Sequence, residues 1–336
     1  MKRSLLASLI GIVLLHGKAN GQSTLDTSSL IQDSRSLLSL VVSVDDRVMY
    51  AQSFNGHEMD ELCNHQSLTK NVMALLIGIA IDKGYIDSLG VKMVDFFPAL
   101  GQDPDERKRQ ITLRDVMNQA SGLWHEDLAH LGRYLRLKDP SDHVLRQPLV
   151  AAPGRELHYN NAASHLMSVI LSEATGRTTF DFAQKYLFGP LGIDEVTWPT
   201  MGDGYHDGSG LLSVRMGTAD MNKIGRLILQ GGGFEGKPVV SEKWTALLLQ
   251  PEKVYPAPWE LSNTTYGLTF YHQDYQGMPV TFGMGWGGQF LVLIPDLHAV
   301  ISVNQRVDDR TAVRQSDFFM SRMFPVIVDW IVASRI

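Results

Sequence analysis

Residues 67–84, SLTKNVMALLIGIAIDKG, predict a helix that starts near Ser67 and ends before Gly84. The part from Val72 to Ile81 carries no polar side chain. Because a helix without a polar face is buried on every side, this stretch predicts a central helix sandwiched within the fold. Ser67 and Lys70 are three residues apart at its start, so both side chains project from one helical face.

Ser67 and Lys70 are the first candidate catalytic residues. A serine hydroxyl is a weak nucleophile until a base takes its proton. A lysine can be that base because burial disfavours its charged form, and the helix N-terminus favours a developing oxyanion. Serine is also a common N-cap, so a purely structural role is the alternative. A lysine in the first turn opposes the helix dipole, however, and such a local misfit is expected at a functional site.

A second candidate segment is Tyr159-Asn160-Asn161, which opens a predicted helix ending before Gly176. A tyrosine at a helix start can share a proton with a serine hydroxyl and a leaving group. An asparagine can hydrogen-bond a substrate amide or a lysine. The structural alternatives are a packing aromatic for Tyr159 and an ordinary N-cap for Asn161.

A third candidate segment is residues 283–289, GMGWGGQ, which precedes a predicted strand. Its glycines permit close approach of a ligand to the backbone, and a backbone N–H at the start of the following strand can serve as an oxyanion donor. The structural alternative is a hairpin turn with a glycine bulge.

The order of predicted elements indicates the fold class. Two strands surround a turn at Asp45-Asp46, residues 86–250 are mostly helical, and a helix over 316–333 is kinked at Pro325. Four short strand runs form an antiparallel meander, and they are Tyr266–Tyr271, Val280–Phe282, Gln289–Ile294 and Ala299–Val303. We therefore expect an α/β domain from residues 22–85 and 251–336, with one antiparallel sheet flanked by helices. Residues 86–250 form an inserted, mainly helical domain.

In chain order, the three segments resemble the motifs of the serine β-lactamase and penicillin-binding-protein superfamily. Its Ser-x-x-Lys is matched by Ser67 and Lys70, and the Tyr-x-Asn of its class C branch by Tyr159 and Asn161. Trp286-Gly287-Gly288 stands where the family has Lys-Thr-Gly or His-x-Gly. The stretches 111–123 and 187–192 also resemble segments of this branch, so the likeness covers about residues 37–305.

The third motif departs from the family pattern. The β-lactamases and transpeptidases use a cationic residue there, which helps to hold the substrate carboxylate. A tryptophan resembles the family's esterases, and Gly-Trp-Gly-Gly-Gln resembles its 6-aminohexanoate-dimer hydrolase group. This departure lowers the expectation of β-lactam or cell-wall peptide turnover.

The resemblance implies a β-lactamase/transpeptidase-like fold and a serine hydrolase that forms an acyl-enzyme on a carboxylic ester or amide. It makes Ser67 the nucleophile, with Lys70 and Tyr159 moving protons. Asn161 orients Lys70 and the substrate, and the backbone N–H groups of Ser67 and Gln289 form the oxyanion hole. The implied substrate-binding residues are Asn161, Trp286, Gly287, Gly288 and Gln289. The reaction needs no metal or organic cofactor, and the substrate is a small molecule or short peptide.

Two alternatives stay open at this point. The first is a β-lactamase or D-peptidase of the same superfamily. The second is a sensor or binding protein with this fold and no turnover, because a fold does not determine a function.

Composition and motif checks exclude other classes. The 336 residues carry 30 basic and 36 acidic side chains, a net charge of −6, which argues against a nucleic-acid-binding protein. The single cysteine, Cys63, allows neither an intrachain disulfide nor a thiolate zinc site. Residues 231–237 have P-loop spacing, but Pro238 occupies the Ser/Thr position. His125 and His130 are five residues apart, so the zincin motif is absent, as is a Gly-x-Ser-x-Gly elbow.

The N-terminus predicts export. Lys2 and Arg3 precede an apolar run from Leu5 to Leu15, and Ala19 and Gly21 have the spacing of a cleavage site. Residues 1–21 are therefore interpreted as a signal peptide of a periplasmic or secreted protein, without a stable membrane anchor. Oligomeric state is not predicted.

Overall fold

The computed structural model describes residue 25, residues 34–258, residue 261 and residues 263–335. The predicted signal peptide, residues 1–21, lies outside them. Within these described residues, no helix combines the length and the apolar character needed to cross a membrane.

A large antiparallel sheet organises the molecule. The strands are β1 (Leu37–Val44), β2 (Arg47–Ser53), β3 (Cys63–Asn64), β4 (Arg215–Met216), β5 (Gly233–Phe234), β6 (Lys237–Pro238), β7 (Tyr255–Pro256), β8 (Thr264–Gly267), β9 (Phe270–Tyr275), β10 (Met278–Gly285), β11 (Gln289–Ile294) and β12 (Ala299–Gln305). Eight of them form one sheet in the order β2-β1-β12-β11-β10-β9-β8-β7. In this sheet β1 pairs with β12, with Val42 opposite Ile301. Strands from both ends of the chain therefore share one sheet, as predicted.

Helices cover both faces of this sheet. The α-helices are α1 (Leu68–Asp82), α2 (Met93–Phe96), α3 (Leu113–Met117), α4 (Leu128–Tyr134), α5 (Pro140–Arg146), α6 (Asn161–Thr175), α7 (Thr179–Ala183), α8 (Thr218–Leu229), α9 (Glu242–Leu249), α10 (Ala312–Phe318) and α11 (Phe324–Ala333). The predicted fold class, an antiparallel sheet with flanking helices, is confirmed. The division into two domains stays a prediction, although α8, from the predicted insertion, packs on β1, β11 and β12.

Two predicted boundaries are wrong. The run Tyr266–Tyr271 is not one strand, because Leu268 and Thr269 adopt left-handed conformations with φ of 47° and 73° and separate β8 from β9. The last helix begins at Ala312 rather than 316 and is divided by a π-helical turn over Phe319–Met323. Pro325 lies in the first turn of α11, directly after this π-helical turn.

Helix α1 is the central helix that its sequence predicts. Its residues from Leu68 to Ala80 are all buried, and it packs against β10 and β11 on one side and α6 on the other. Gly78 lies directly against the Trp244 indole, which leaves no room for a methyl group. The indole Nε1 donates to the Ala74 carbonyl at 3.1 Å, so the ring is held against α1.

The two faces of the sheet bury separate apolar clusters. Leu291 and Leu293 on β11 belong to the cluster around α1 and α8, whereas Phe290 and Val292 belong to the cluster under α10 and α11. Side chains alternate between the faces of a strand, so a strand covered on both sides is apolar at nearly every position. This explains the continuous run Phe290–Ile294 and places α1 on one defined face of the sheet.

Two histidines are held neutral in this framework. The fully buried His65 donates from Nε2 to the Met216 carbonyl at 3.0 Å and accepts from the Asn304 amide at 3.3 Å. His272 on β9 contacts Thr281 at 3.1 Å. Burial lowers the pKa of each from 6.5 to about 4, because the charged ring would lose its hydration.

We expect Gly78→Ala to lower the free energy of unfolding by about 2 kcal/mol. The added methyl displaces the Trp244 indole and its hydrogen bond, which outweighs the helix-propensity gain of about 1 kcal/mol. The matched control is Gly132→Ala on the exposed face of α4, where the nearest atom is 3.6 Å away on Arg136. Urea unfolding of both variants measures the difference, and equal effects would contradict the packing assigned to Gly78.

The stability of the folded chain is expected to fall as the pH is lowered from about 6.5 towards 4. A histidine with a depressed pKa binds its proton mainly in the unfolded state, so its contribution is present above pH 6.5 and lost below it. Between pH 7 and 5, each histidine removes about 2 kcal/mol. In urea unfolding, His65→Gln should lose less free energy of unfolding between pH 7 and 5 than the unmodified protein, by the contribution of one histidine. An unchanged pH dependence would be inconsistent with a neutral His65.

Candidate active site

Lys70 is the centre of the candidate site. Its side chain is 1% exposed, and Nζ contacts three oxygen atoms from separate parts of the chain. These are Ser67 Oγ at 3.1 Å, Asn161 Oδ1 at 2.7 Å and the carbonyl oxygen of Ser209. The structure thus brings the predicted Ser67, Lys70 and Asn161 together and adds Ser209.

The neighbours of Lys70 determine where its lone pair can point. The Asn161 amide oxygen and the Ser209 carbonyl can only accept hydrogen bonds, so each requires an N–H from Nζ. An uncharged amine has two N–H groups, which leaves its lone pair for the remaining neighbour, Ser67 Oγ. Of the three oxygens that contact Nζ, Ser67 Oγ is therefore the one that can exchange a proton with it.

Ser67 does not cap its own helix. It occupies the N-cap position of α1 with helical φ and ψ of −64° and −9°, and its side chain makes no capping hydrogen bond. Gln66 before it is left-handed, with φ of 52°, and its N–H donates to Ser213 Oγ at 2.8 Å. A strained residue held by its surroundings is typical of functional sites, and here it directs Oγ towards Lys70 rather than the helix backbone.

Tyr159 approaches Ser67 from the other side. Its hydroxyl donates to Ser67 Oγ at 2.9 Å, and Lys70 Nζ lies 4.9 Å from the centre of its ring. The ring packs edge-on against the buried Tyr266, at 6.4 Å between centroids. Ser67 Oγ is therefore held between two groups that can exchange protons.

The start of α6 positions Asn161. The helix is capped by Asn160, whose Oδ1 accepts from the Ala163 N–H at 2.7 Å, so Asn161 is not the N-cap. The Asn161 Nδ2 donates to Glu126 Oε1 at 2.6 Å, and Glu126 Oε2 accepts from the Ala162 N–H at 3.1 Å. Because Nδ2 faces Glu126, the Oδ1 atom faces Lys70.

A buried aspartate shapes the loop that contacts Lys70. Asp207, fully buried, accepts hydrogen bonds from the backbone N–H groups of Ser209, Gly210, Leu212 and Ser213 at 2.7 to 3.1 Å. The loop is thereby curled around one carboxylate. This places the Ser209 carbonyl at Lys70 and Ser213 Oγ at Gln66.

Strand β10 lies against the start of α1. A methyl on Gly285 would come within 2.6 Å of the His65 carbonyl, and one on Gly283 would overlap Asn71. Pairing with β9 ends at Phe282 opposite Tyr271, so this end of β10 has an open edge. The glycines expected to admit a ligand instead let strand and helix backbones approach each other.

The predicted substrate-binding segment 286–289 is placed differently from the expectation. Trp286 is 43% exposed and donates from Nε1 to Asp309 at 2.8 Å. Gly287 and Gly288 form the β10–β11 turn with φ of 80° and 79° and are buried against Val307 and Gln305. The Gln289 side chain is fully buried and hydrogen-bonded to Gln305 and Asn304.

The residues that sequence reasoning missed are Glu126, Asp207 and Ser209. Glu126 lies three residues after the segment 111–123, but no local pattern marks it as part of the site. Residues 207–213, DGSGLLS, carry a visible loop composition but no chemical signature. No cluster of His, Cys, Asp or Glu able to hold a metal ion occurs among the described residues.

Comparison with known proteins agrees with this geometry. The "Beta-lactamase" family model matches residues 28–318. A 6-aminohexanoate-dimer hydrolase of Paenarthrobacter ureafaciens is 25% identical over 198 residues, covering 54% of this chain and 49% of that protein. The chain thus spans about half the length of this curated relative.

Solved structures show the same fold. A Bacillus anthracis protein assigned as a 6-aminohexanoate-dimer hydrolase has a TM-score of 0.76 and 19% identity, covering 90% of this chain and 81% of its own. A D-stereospecific amidohydrolase from Streptomyces has a TM-score of 0.66 and 16% identity, covering 86% and 95%. The resemblance inferred from the three motifs is confirmed, and since the family model spans most of its length, the chain belongs to the beta-lactamase family.

Proposed function

We propose that this chain is a serine hydrolase that cleaves carboxylic esters or linear amides through an acyl-enzyme on Ser67. The observation that carries the proposal is the position of Ser67 Oγ, 3.1 Å from Lys70 Nζ and 2.9 Å from the Tyr159 hydroxyl. A non-catalytic binding protein has no need for this arrangement, in which every predicted proton-transfer group is within hydrogen-bond distance of the nucleophile.

The proposed acylation follows from these contacts. Lys70 accepts the Ser67 proton as Oγ attacks the substrate carbonyl carbon, and a tetrahedral oxyanion forms. Tyr159, close to both Lys70 and Ser67, passes a proton to the leaving oxygen or nitrogen as the bond to the acyl carbon breaks. Water then attacks the acyl carbon and gives a proton to Tyr159, the bond from Oγ to that carbon breaks to release the carboxylic acid, and Lys70 returns its proton to Ser67.

We infer that the second oxyanion donor is the N–H of Trp286 rather than that of Gln289. The Gly288 N–H donates to the Gly285 carbonyl at 3.2 Å, so the hydrogen-bonding groups of Gly285 face β11. Backbone groups alternate along a strand, and those of Trp286 therefore face the open edge of β10. Gln289 lies on β11, which is paired on both sides. The Ser67 N–H, the first donor, has no acceptor among the described residues.

The preference for esters or linear amides over β-lactams rests on the strand that faces Ser67. Gly283, Met284 and Gly285 of β10 and the adjacent Trp286 include no lysine, arginine or histidine to hold a substrate carboxylate. The names of two similar proteins, a 6-aminohexanoate-dimer hydrolase and a D-stereospecific amidohydrolase, support the same class. Export to the periplasm or medium, a small-molecule or short-peptide substrate, and the absence of a membrane anchor remain proposals drawn from the sequence.

Ser67→Ala is expected to abolish turnover of p-nitrophenyl acyl esters. The variant lacks the attacking oxygen, whereas the unmodified protein should release nitrophenol and gain the mass of one acyl group. Intact-protein mass spectrometry after brief mixing, with parallel absorbance measurements, provides both readouts. Because fast deacylation can hide the adduct, loss of release in the variant is sufficient. Equal release from both proteins would contradict the proposal.

Lys70→Ala and Tyr159→Phe are each expected to lower kcat by about 10²- to 10⁴-fold, because each removes a proton-transfer group beside Ser67. Steady-state kinetics with the same ester measures the loss. Tyr255→Phe is the matched control, because its hydroxyl contacts the Gly154 carbonyl rather than Ser67. A kcat for Tyr159→Phe equal to that of the control would remove Tyr159 from the mechanism.

A further inference from the structure

Tyr266 on β8 carries a buried hydroxyl that the proposed acylation does not use. The residue is 1% exposed, and its oxygen has no hydrogen-bond partner among the described residues. Burial removes this hydroxyl from water without replacing the hydrogen bonds that it loses, whereas a phenylalanine of nearly the same shape loses none. Such a misfit favours a role in function rather than in stability.

Aromatic contacts hold Tyr266 beside the candidate site. Its ring lies edge-on to that of Tyr159, with 6.4 Å between the centroids and 76° between the planes. It is also edge-on to Tyr271 at 4.9 Å, and Tyr271 stacks on Phe282 of β10 at 5.1 Å. The sheet therefore fixes Tyr266 against Tyr159, which the proposed acylation uses as a proton donor.

The proposed reaction leaves Tyr159 charged. After acylation, Lys70 holds the proton of Ser67, and Tyr159 has given its own proton to the leaving group. The acyl-enzyme therefore contains an ammonium group and a phenolate until water restores the proton of Tyr159. A phenolate at this half-buried position is unfavourable unless hydrogen-bond donors or dipoles face it. The ammonium of Lys70 lies 4.9 Å from the centre of the ring, but it already contacts three oxygens.

Tyr266 can supply such a dipole because it keeps its proton. Burial raises the pKa of Tyr266 well above its ordinary value, and the negative charges of an ionised Tyr159 and an ionised Tyr271 raise it further. Its O–H bond, which no acceptor holds among the described residues, is able to rotate towards a new charge. The hydroxyl is therefore neutral and free to reorient when Tyr159 ionises.

Three other titratable groups lie around Tyr159. Helix α1 contributes Lys70, and the loop before α4 contributes Glu126 through its contact with Asn161 at 2.6 Å. His158 precedes Tyr159 and lies 3.4 Å from an exposed carboxylate. Histidines and carboxylates ordinarily titrate below about pH 7, whereas tyrosines and lysines titrate above it. The basic limb of a pH profile therefore reports on Lys70 and the tyrosines.

We propose that Tyr266 acts through Tyr159, by turning its O–H dipole towards Tyr159 while that residue is a phenolate. The inference deepens the proposed function and rests on it. In the free site, Tyr159 donates to Ser67 at 2.9 Å and carries no charge for Tyr266 to stabilise. An interaction that appears only with the charge lowers the barrier to acylation without tightening the binding of substrate. Tyr266 is in this sense a positioning residue rather than a proton carrier.

The test compares the methyl and p-nitrophenyl esters of butyric acid. A methoxide leaving group needs the proton of Tyr159, whereas nitrophenolate departs without one. Acid release in a pH-stat gives kcat/KM for both esters across the pH range, and Ser67→Ala supplies the blank for spontaneous hydrolysis. The variant is Tyr266→Phe, which keeps the ring and removes only the hydroxyl.

Tyr266→Phe should lower kcat/KM for the methyl ester about tenfold more than that for the p-nitrophenyl ester. The basic limb of the methyl ester profile should move upward by about one pH unit, because Tyr159 ionises less readily without the dipole. The free energy of unfolding should be equal or higher, because an unpaired buried hydroxyl is removed. A residue that only fills space would change neither the profile nor the ratio of the two esters.

Two controls match this variant. Tyr134→Phe also removes a buried hydroxyl that has no partner among the described residues, but its ring packs beside Trp124 at 6.1 Å. It should therefore leave the profile and the ratio unchanged. In a Tyr159→Phe background, where no phenolate forms, Tyr266→Phe should have no further effect on hydrolysis of the methyl ester.

Three results overturn the proposal: an unmoved basic limb, an equal loss for both esters, or a clear loss of stability in Tyr266→Phe, which would assign the hydroxyl a structural contact. Each presupposes Ser67-dependent hydrolysis by the unmodified protein. Absence of that hydrolysis for both esters would instead contradict the proposed function.

Discussion

The burial of one lysine is the constraint on which the rest of the structure depends. An ammonium group removed from water costs several kcal/mol unless other atoms replace its hydration. Lys70 obtains three oxygens from α1, α6 and the loop before β4. Asp207 curls that loop, and Glu126 turns the Asn161 amide. The contacts that satisfy the buried amine also hold its Nζ 3.1 Å from Ser67 Oγ, so one set of contacts supports both burial and the position of the candidate nucleophile.

The sheet makes this burial possible. Helix α1 can be apolar on all sides because β10 and β11 cover one face and α6 the other. At the first turn of α1, β10 lies close to the helix without filling the site. Gly283 and Gly285 allow this close approach because they have no side chains. The pairing of β9 ends at Tyr271, which leaves the edge of β10 open beside Ser67. The candidate site around Ser67 thus lies where the helical block, the central helix and an unpaired strand edge meet.

Local sequence patterns predicted the main helices and strands, but they did not predict how the third motif, residues 283–289, is placed. The apolar stretch of α1 and the left-handed Gly176 after α6 agree with sequence expectation, because each depends on neighbouring residues. The run Tyr266–Tyr271 was predicted as one strand. Two non-glycine residues in it, Leu268 and Thr269, adopt positive φ under tertiary packing and divide it. The roles of the glycines in residues 283–289 were not predictable from the sequence, because only the packing against α1 shows which of them approach the helix.

By itself, the sequence determined that a buried helix begins with Ser67 and Lys70, that Tyr159 and Asn161 open another helix, and that strand-forming runs lie near both ends of the chain. These depend on spacing and periodicity, which are local. The tertiary structure alone decided that Ser209 contacts Lys70, that Glu126 contacts Asn161, that the Gln289 side chain faces inward, and that Trp286 lies exposed in the turn after β10. Those facts depend on contacts between residues distant in the chain, and no local pattern encodes the distances that hydrogen bonds require.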